Sequence, residues 1–267
     1  MWETRKFLVL VKTYPNPSRK ASEAVCTAGI DEAGKLVRLF PIPFRTLEES
    51  QRFAKWQWIS ARVRKARNDP RQESHEVEYG SIVALEHVPA GRAGWSERWG
   101  LIEHLLSPSL EAVIDSGATL GLIKPRNYSL TFEQLAEKDW TRDEVSKLQG
   151  GGKVNLFGKP VAPTNLLEKM PVRFRYVFDC SDDTRGHPLI FEDWEVCESW
   201  RKWKGRYRTH RMLEAAIANK YVDEPKAKDN LYVFIGNTAA HPKAWLVIGH
   251  TRPDPAVLRA HRQPSLL

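Results

Sequence analysis

Residues 22–42 read SEAVCTAGIDEAGKLVRLFPI, and this stretch reveals the architecture of the first third of the chain. Two apolar segments, 22–30 and 36–42, flank a DEAGK stretch that contains Gly34, which predicts a β-hairpin. On the returning strand Val37 and Leu39 share one face, and Arg38 and Phe40 share the other. Pro41 and Pro43 then end the ladder, because proline has no N–H to donate to a neighbouring strand.

Further strands are predicted on both sides of this hairpin. Apolar or alternating sequence marks residues 5–13, 56–66 and 77–88, and turn-forming residues separate these segments. Several short strands at this spacing indicate a small barrel or a strongly curved sheet. We therefore predict a small β-barrel-like domain over residues 1–90.

The middle of the chain, residues 91–170, is predicted to be a helical and irregular connection. Apolar residues at helical spacing mark 94–106, and a second short helix ends near Ile114. Residues 127–170 lack a steady period, and Gly150-Gly151-Gly152 is typical of a flexible joint.

The last hundred residues predict a β-α-α-β-β unit over 171–251, followed by a loosely ordered tail over 252–267. The fold class is therefore α+β. The predicted elements of the C-terminal unit are a strand, two helices and two strands, at 171–180, 189–204, 209–221, 231–237 and 244–250.

Composition is that of a globular protein, with 42% hydrophobic and 28% charged residues in a chain of 267. The three cysteines, Cys26, Cys180 and Cys197, are too few and too far apart for a disulfide framework. The apolar run 7–11 is too short for a signal peptide or a membrane span, so we expect a cytoplasmic protein with no membrane association. The motifs of P-loop, dinucleotide-binding, α/β-hydrolase and HExxH zinc enzymes are absent.

The charge of the chain is unevenly distributed. Residues 1–67 hold fourteen Lys/Arg and six Asp/Glu, which accounts for the whole net charge of +8. An excess confined to one segment is typical of a surface that binds a polyanion. Nucleic acid is therefore the expected partner, while an anionic small ligand, a protein partner or a merely solvated surface stay open.

The first candidate site is the basic N-terminal face. Arg62 and Arg64 alternate with apolar residues on the strand that Trp56 and Trp58 begin, so arginines could bind phosphates while a tryptophan stacks a base. The alternative is that both tryptophans belong to the core. The candidate contacts here are Arg38, Arg45, Lys55, Trp56, Trp58, Arg62, Arg64, Lys65 and Arg67.

The second candidate is a polar cluster at the end of the strand 171–180 and the start of the next helix. His187, Asp193 and Glu195 are the candidate catalytic residues, with a divalent metal as the implied cofactor of a hydrolase. Asp193 and Glu195 are two residues apart and so are expected on different faces of the helix, which lets at most one of them share a site with His187. Helix capping is the structural alternative. The wider cluster also includes Asp179, Cys180, Asp182 and Asp183.

The third candidate is a second basic run near the predicted turn between two helices. Its candidate phosphate contacts are Arg201, Lys204, Arg206 and Arg208, interleaved with Trp200, Trp203 and Tyr207. A solvated turn whose cations complement the helix dipole is the alternative.

Two blocks of sequence carry a resemblance to a known family. CTAGI…RLFPIPFR in the N-terminal half and GH…DWE in the C-terminal half resemble an uncharacterised family of bacterial proteins associated with mobile elements and defence. The resemblance implies no particular activity. In that family a cysteine often stands just before the Gly-His pair, where this chain has Thr184 and Arg185, so the resemblance does not imply a Cys-Cys-His metal site here.

Three functions remain open on sequence alone, and whether the chain is an enzyme is undecided. The leading expectation is nucleic-acid binding through the basic aromatic β domain, with an affinity that salt weakens and that charge reversal at Arg62 and Arg64 reduces. The second is a metal-dependent nuclease or phosphoesterase that uses the cluster around His187. The third is a protein-binding adaptor whose exposed tryptophans form the interface.

Overall fold

The structure, a computed structural model, describes residues 1–19, 21–150 and 166–262. The chain folds into two compact units, Met1–Glu86 with Glu133–Arg173, and His87–Phe132 with Phe174–Leu267. We predicted boundaries after residues 90 and 170, whereas the chain returns to unit 1 at Glu133. Gly151 and Gly152 of the expected joint, and residues 263–267 of the expected tail, lie outside the described residues.

Unit 1 contains a closed five-stranded barrel. β1 pairs with β5 and β3, β3 pairs with β4, β4 pairs with β6, and β6 with β5, which completes the circle. The short strand β2 is added to β3. The strands are β1 (Glu3–Lys12), β2 (Asn16–Ser18), β3 (Ser22–Asp31), β4 (Leu36–Ile42), β5 (Gln57–Lys65) and β6 (Ser74–His87).

The connectivity of this barrel is that of the OB-fold. The first three barrel strands, β1, β3 and β4, are antiparallel neighbours, and β4 pairs in parallel with β6, the last strand. β5 returns to pair with β1, so the barrel is a Greek key. The predicted α+β class and the N-terminal barrel are confirmed.

Alternation along the barrel strands supplies the core. Ile59, Ala61 and Val63 of β5 point inward, as their spacing predicts, and pack with Phe7 and Leu39 from β1 and β4. Gly29 on β3 shows how tightly two strands approach here, since a Cβ at this position would lie 2.0 Å from the carbonyl oxygen of Leu8. Only glycine fits at that crossing.

Helix α3 (Arg142–Gly150) covers one side of the barrel and packs against β2 and β3. A capping box begins it, because Glu144 accepts a hydrogen bond from the Thr141 backbone while the Thr141 hydroxyl accepts from the Glu144 N–H. Leu148, a residue of this helix, is buried. The stretch 127–170, in which we predicted no regular structure, therefore contains this helix, whose apolar stripe is too short to show a clear period in the sequence. It also contains most of a strand, Arg126–Gln134.

Unit 2 is built on a seven-stranded sheet in the order β7-β8-β12-β13-β11-β10-β9. Its strands are β7 (Leu106–Ser107), β8 (Leu120–Ile123), β9 (Arg126–Gln134), β10 (Val172–Asp179), β11 (His187–Phe191), β12 (Tyr232–Asn237) and β13 (Trp245–Thr251). Its helices are α1 (Arg92–Ile102), α2 (Leu110–Asp115), α4 (Trp194–Trp203), α5 (His210–Ala218), α6 (Glu224–Lys228) and α7 (Pro255–Arg262).

One predicted helix proves to be a strand followed by a shorter helix. Residues 187–191 form β11, which pairs with β10 and β13, and α4 begins only after Asp193. Asp193 is the N-cap, since its side chain accepts a hydrogen bond of 2.6 Å from the Glu195 N–H. The spacing of Ile190, Trp194 and Cys197 imitates a continuous helical stripe, but Ile190 is a strand residue that pairs with β10 on one side and β13 on the other.

The segment that we expected to be a loose tail contains α7, on which Val257 and Leu258 are buried. α1 and α7 pack against each other within unit 2. Over the described ranges, none of the helices combines the length and apolar character that crossing a bilayer requires.

Candidate functional site

The arginines of the predicted barrel face reach solvent but are paired with acidic residues. Arg62 lies 2.7 Å from Glu78, and Arg64 donates a hydrogen bond of 2.7 Å to Glu76 and stacks over the Trp2 ring. Both glutamates come from β6, the strand next to β5 in the barrel. The outward face of β5 is therefore largely neutralised by its own neighbour.

Of the other predicted contacts in the barrel domain, some already bind protein groups and some are exposed. Arg45 donates to Glu23 at 2.9 Å, and burial raises the pKa of that carboxyl despite the arginine beside it. Lys65 donates to two backbone carbonyls of the β5–β6 loop, Lys55 is half-buried, and Arg67 is exposed.

Two predicted contacts are corrected by the structure because they belong to the interior. Arg38 is 3% exposed, and its guanidinium donates to Ser74 rather than facing solvent. Trp56 is 5% exposed, precedes β5 in a turn, and donates its backbone N–H to Val9. Trp58 is half-buried on the outward face of β5. Residues inside the barrel cannot reach a phosphate or stack a base.

The charge of the barrel segment changes once β6 is included. Residues 1–86 hold fifteen Lys/Arg and eleven Asp/Glu, a net charge of +4 rather than the +8 of residues 1–67. On the side of the barrel that OB-folds use for oligonucleotides, formed by the second and third strands, the second strand, β3, is also covered. β3 is buried along nearly all its length, and α3 packs on it.

A denser cationic surface lies in unit 2, at the turn that joins α4 to α5. We call residues 201–211 the basic turn. Arg206, Arg208 and Arg211 are exposed, and within the described part of the chain no carboxylate lies within ion-pair distance of any of them. Arg201 and Lys202, at the start of the same segment, differ because both pair with Glu198. The local fold explains this presentation, since α4 ends at Trp203 and Thr209 caps α5 by accepting from Met212.

Aromatic side chains accompany these cations. The rings of Trp203 and Tyr207 lie 6.4 Å apart and are half-buried, and Lys220 lies 5.1 Å from the Trp203 ring. Burial lowers the pKa of Lys220. Met212, at the start of α5, is 50% exposed. The turn thus combines exposed cations with flat apolar surface, two features that single-strand binding surfaces also have.

Asp193 and Glu195, two of the predicted catalytic residues, meet at His250 on β13. Asp193 accepts hydrogen bonds from the His250 backbone at 3.0 Å and from its Nδ1 at 2.8 Å. On the other side of the ring, Nε2 lies 3.5 Å from Glu195. Because Asp193 is the N-cap and not yet in the helix, the two carboxylates do not fall on opposite faces as their spacing suggested.

This arrangement orients an imidazole. A carboxylate at Nδ1 fixes the ring and leaves Nε2 facing Glu195, which is 46% exposed, whereas His250 and Asp193 are buried. The ligand atoms of all three residues lie within 4.8 Å of one another, so they could hold a cation. Asp193 already accepts three hydrogen bonds from protein donors, however, which favours a role in positioning His250 over metal ligation.

His187, the third predicted catalytic residue, belongs to a different cluster. Its ring lies with Glu111 of α2 and Cys180 at the end of β10, and their ligand atoms also lie within 4.8 Å of one another. The sequence did not indicate Glu111 or His250, because 69 and 57 residues separate them from the partners that they meet in the fold.

Two family models match the chain in succession. The domain of unknown function DUF8758 matches residues 3–104, and the domain of unknown function DUF8757 matches residues 109–266. A comparison with curated proteins finds no match.

Proposed function

We propose that this chain, which belongs to the family defined by the domain of unknown function DUF8757, binds nucleic acid through its basic turn. A single observation carries the proposal: Arg206, Arg208 and Arg211 are exposed beside one another with no acidic partner among the described residues. Guanidinium groups bind phosphate oxygens through paired N–H donors. A polyanion with regularly spaced phosphates can engage several of them at once.

The proposal transfers the expected contact from the barrel to unit 2. The arginines on β5 already have carboxylate partners, so binding a phosphate there would require breaking an ion pair such as Arg62–Glu78. At the basic turn the same contact replaces only water and counterions, whose release favours binding. Trp203 and Tyr207 would add stacking, at about 1–3 kcal/mol for each base stacked.

The first test is fluorescence anisotropy of the full chain with labelled single- and double-stranded DNA and RNA over a range of salt concentrations. Three phosphate contacts predict a log–log salt dependence with a slope of roughly −3 for duplex DNA. Salt-independent binding, or no binding to any of the four probes, would contradict the proposal. Co-purification of a stoichiometric protein together with no nucleic-acid binding would favour the adaptor instead.

A second candidate function is hydrolysis of the bound strand. One observation favours it, namely that Asp193 orients His250 so that Nε2 faces the partly exposed Glu195. An imidazole held by a carboxylate can transfer a proton to or from a reacting group. In this version Glu195 is the residue nearest to solvent and therefore to a substrate.

The hydrolysis candidate is tested by running the same samples on a denaturing gel, with and without magnesium or manganese. Cleavage by the wild-type chain that Glu195→Gln reduces by an order of magnitude or more would support it. Intact probe in every lane, or equal cleavage by Glu195→Gln, would contradict it and leave binding as the function. The variant lies outside the buried pair, so its fold is expected to survive.

A further inference from the structure

We infer that Glu111, Cys180 and His187 form a zinc site in unit 2. The three side chains come from the first turn of α2, the end of β10 and the start of β11, so the fold brings Glu111 to a strand–loop–strand segment whose first ligand, Cys180, lies 69 residues further along the chain. Thiolate, imidazole and carboxylate are the ligand types that zinc binds in proteins. The site does not depend on whether the chain binds nucleic acid.

Two polar atoms in this cluster are buried and unsatisfied. His187 Nε2 and Glu111 Oε2 have no hydrogen-bond partner among the described residues. Water cannot readily supply one to His187, because its side chain is only 11% exposed. Buried polar atoms are nearly always paired, so two adjacent orphans that face each other indicate a missing shared partner. A cation between them would satisfy both.

The distances suit a tetrahedral ion. His187 Nε2 lies 3.8 Å from Glu111 Oε2, and the three ligand atoms lie within 4.8 Å of one another. Zinc bonds of about 2.0–2.3 Å place tetrahedral ligand atoms roughly 3.3–3.8 Å apart. Small side-chain adjustments would therefore close the site around the ion.

The loop between β10 and β11 is held in place independently of any ion. The Cys180 N–H donates to the Asp183 carbonyl at 2.8 Å, and the Ser181 hydroxyl donates to the Pro108 carbonyl at 2.8 Å. Gly186 has a φ of 79°, which turns the chain toward His187 without strain. The ligands are thus presented by a pre-organised loop.

Two charged residues of the β10–β11 loop, Asp183 and Arg185, lie beside the cluster. Arg185, which is exposed, pairs with Asp183 at 2.6 Å and lies 3.8 Å from Glu111 Oε1. The opposite oxygen of Glu111 faces His187. Asp183 Oδ2 also lies 3.6 Å from His187 Nε2, which adds negative potential at the site. Three protein ligands leave one tetrahedral position for water.

The thiol of Cys180 is buried, and burial raises its pKa, against a smaller lowering by a hydrogen bond with the Leu110 backbone. Zinc binds a cysteine as its thiolate, so binding of the ion would release the thiol proton.

The experiment is a titration of the chelator-stripped full chain with Co²⁺, followed by displacement with Zn²⁺. We expect one equivalent to bind, with a thiolate-to-cobalt charge-transfer band in the near ultraviolet that Zn²⁺ abolishes. Cys180→Ser should lose the band, and His187→Ala and Glu111→Gln should each weaken binding by more than about 100-fold, since loss of a ligand exceeds loss of an outer contact. Cys26→Ser and His241→Ala, which alter a cysteine and a histidine outside the cluster, should leave the titration unchanged.

Either of two results would overturn the site. One is a wild-type chain that shows no saturable binding of one equivalent, which decides the matter even if a variant fails to fold. The other is a charge-transfer band that persists in Cys180→Ser, because the thiolate would then come from another residue. Circular dichroism of each variant separates loss of a ligand from loss of the fold.

Discussion

The β5 strand of unit 1 and the basic turn of unit 2 look alike in sequence, and the structure makes them different. Arg62 and Arg64 each have a glutamate of β6 as a partner, whereas Arg206 and Arg208 have no acidic partner in the described chain. The two regions differ in what lies next to their arginines. A strand in a barrel has another strand beside it that can supply counter-charges, while a turn between helices projects into solvent.

The contrast between these two regions shows that an excess of cations along a sequence is not yet a binding surface. What binds a polyanion is positive charge left unneutralised after folding. Substitutions in either region can test this distinction.

The largest effect is expected from reversing three charges of the basic turn. The variant Arg206→Glu/Arg208→Glu/Arg211→Glu should bind nucleic acid some tens of times more weakly at moderate salt, and its salt slope should fall by about 3. Anisotropy at several salt concentrations measures both quantities.

The matched control reverses three other exposed cations of the same unit, Arg92, Lys243 and Arg259, and so changes the net charge equally. If both triple variants lose the same affinity, the effect is one of net charge, and the basic turn has no special role.

A smaller change, a gain in nucleic-acid affinity, is expected when the carboxylate partners of the barrel arginines are removed. Glu76→Gln/Glu78→Gln removes the partners of Arg64 and Arg62, so affinity should rise by roughly 3–10-fold and the salt slope should steepen by up to about 2. Stability should fall by less than about 1 kcal/mol, because exposed ion pairs contribute little. Anisotropy and thermal unfolding check the two parts. Unchanged affinity would mean that the face of β5 is unsuited to phosphate for a reason other than charge.

A still smaller loss is expected from reversing the barrel arginines themselves. Arg62→Glu/Arg64→Glu should weaken binding by less than about 3-fold, because these guanidinium groups are already neutralised in the folded chain. The comparison variant is Arg206→Glu/Arg208→Glu, which reverses two charges of the basic turn. Equal losses in the two double variants would restore the barrel face as a phosphate contact.

The smallest effect is a pH dependence confined to the barrel. His75 has its pKa lowered from 6.5 by burial, with Arg5 and Lys65 nearby acting in the same direction and Glu73 opposing them. The unfolded chain therefore takes up a proton first, so the free energy of unfolding decreases as the pH falls through 6.5 toward the folded pKa.

Between about pH 7 and pH 5.5 this protonation should lower the midpoint of thermal unfolding by about 1–2 °C. His75→Gln should remove that part of the decrease and His241→Ala, in unit 2, should not. An identical pH profile for His75→Gln and the wild type would contradict the assignment.

Much of the fold could be predicted because its signals are local. The alternation of Ile59, Ala61 and Val63 identifies β5 and its inward face, and the turn at Gly34 identifies the hairpin of β3 and β4. Helix α3 also had a local signal, the capping box of Thr141 and Glu144, which the weak periodicity around it obscured. We predicted a helix at Ile190 because helical spacing is visible locally, whereas one of its two strand partners, Leu246 of β13, lies 56 residues further along the chain.

The candidate sites were predictable only in part. The second candidate cluster was predicted as one site, but the structure divides it into two. His187 lies with Glu111 and Cys180, whereas Asp193 and Glu195 lie with His250. The basic turn was recognised from its run of cations, but its advantage over β5 could not be known without the carboxylates of β6. Burial of Arg38 was equally hidden, because it depends on the packing of Ser74 against it.

Local sequence is enough to specify the α+β class, the strands of the barrel, the helices on either side of the basic turn and the positions of the cations. These follow from spacing, turn residues and composition, which act over a few residues. The folded chain alone establishes which charges are neutralised, which side chains are buried and which groups converge on His187 and His250. Those properties depend on contacts between elements that are tens of residues apart, and no local pattern encodes them.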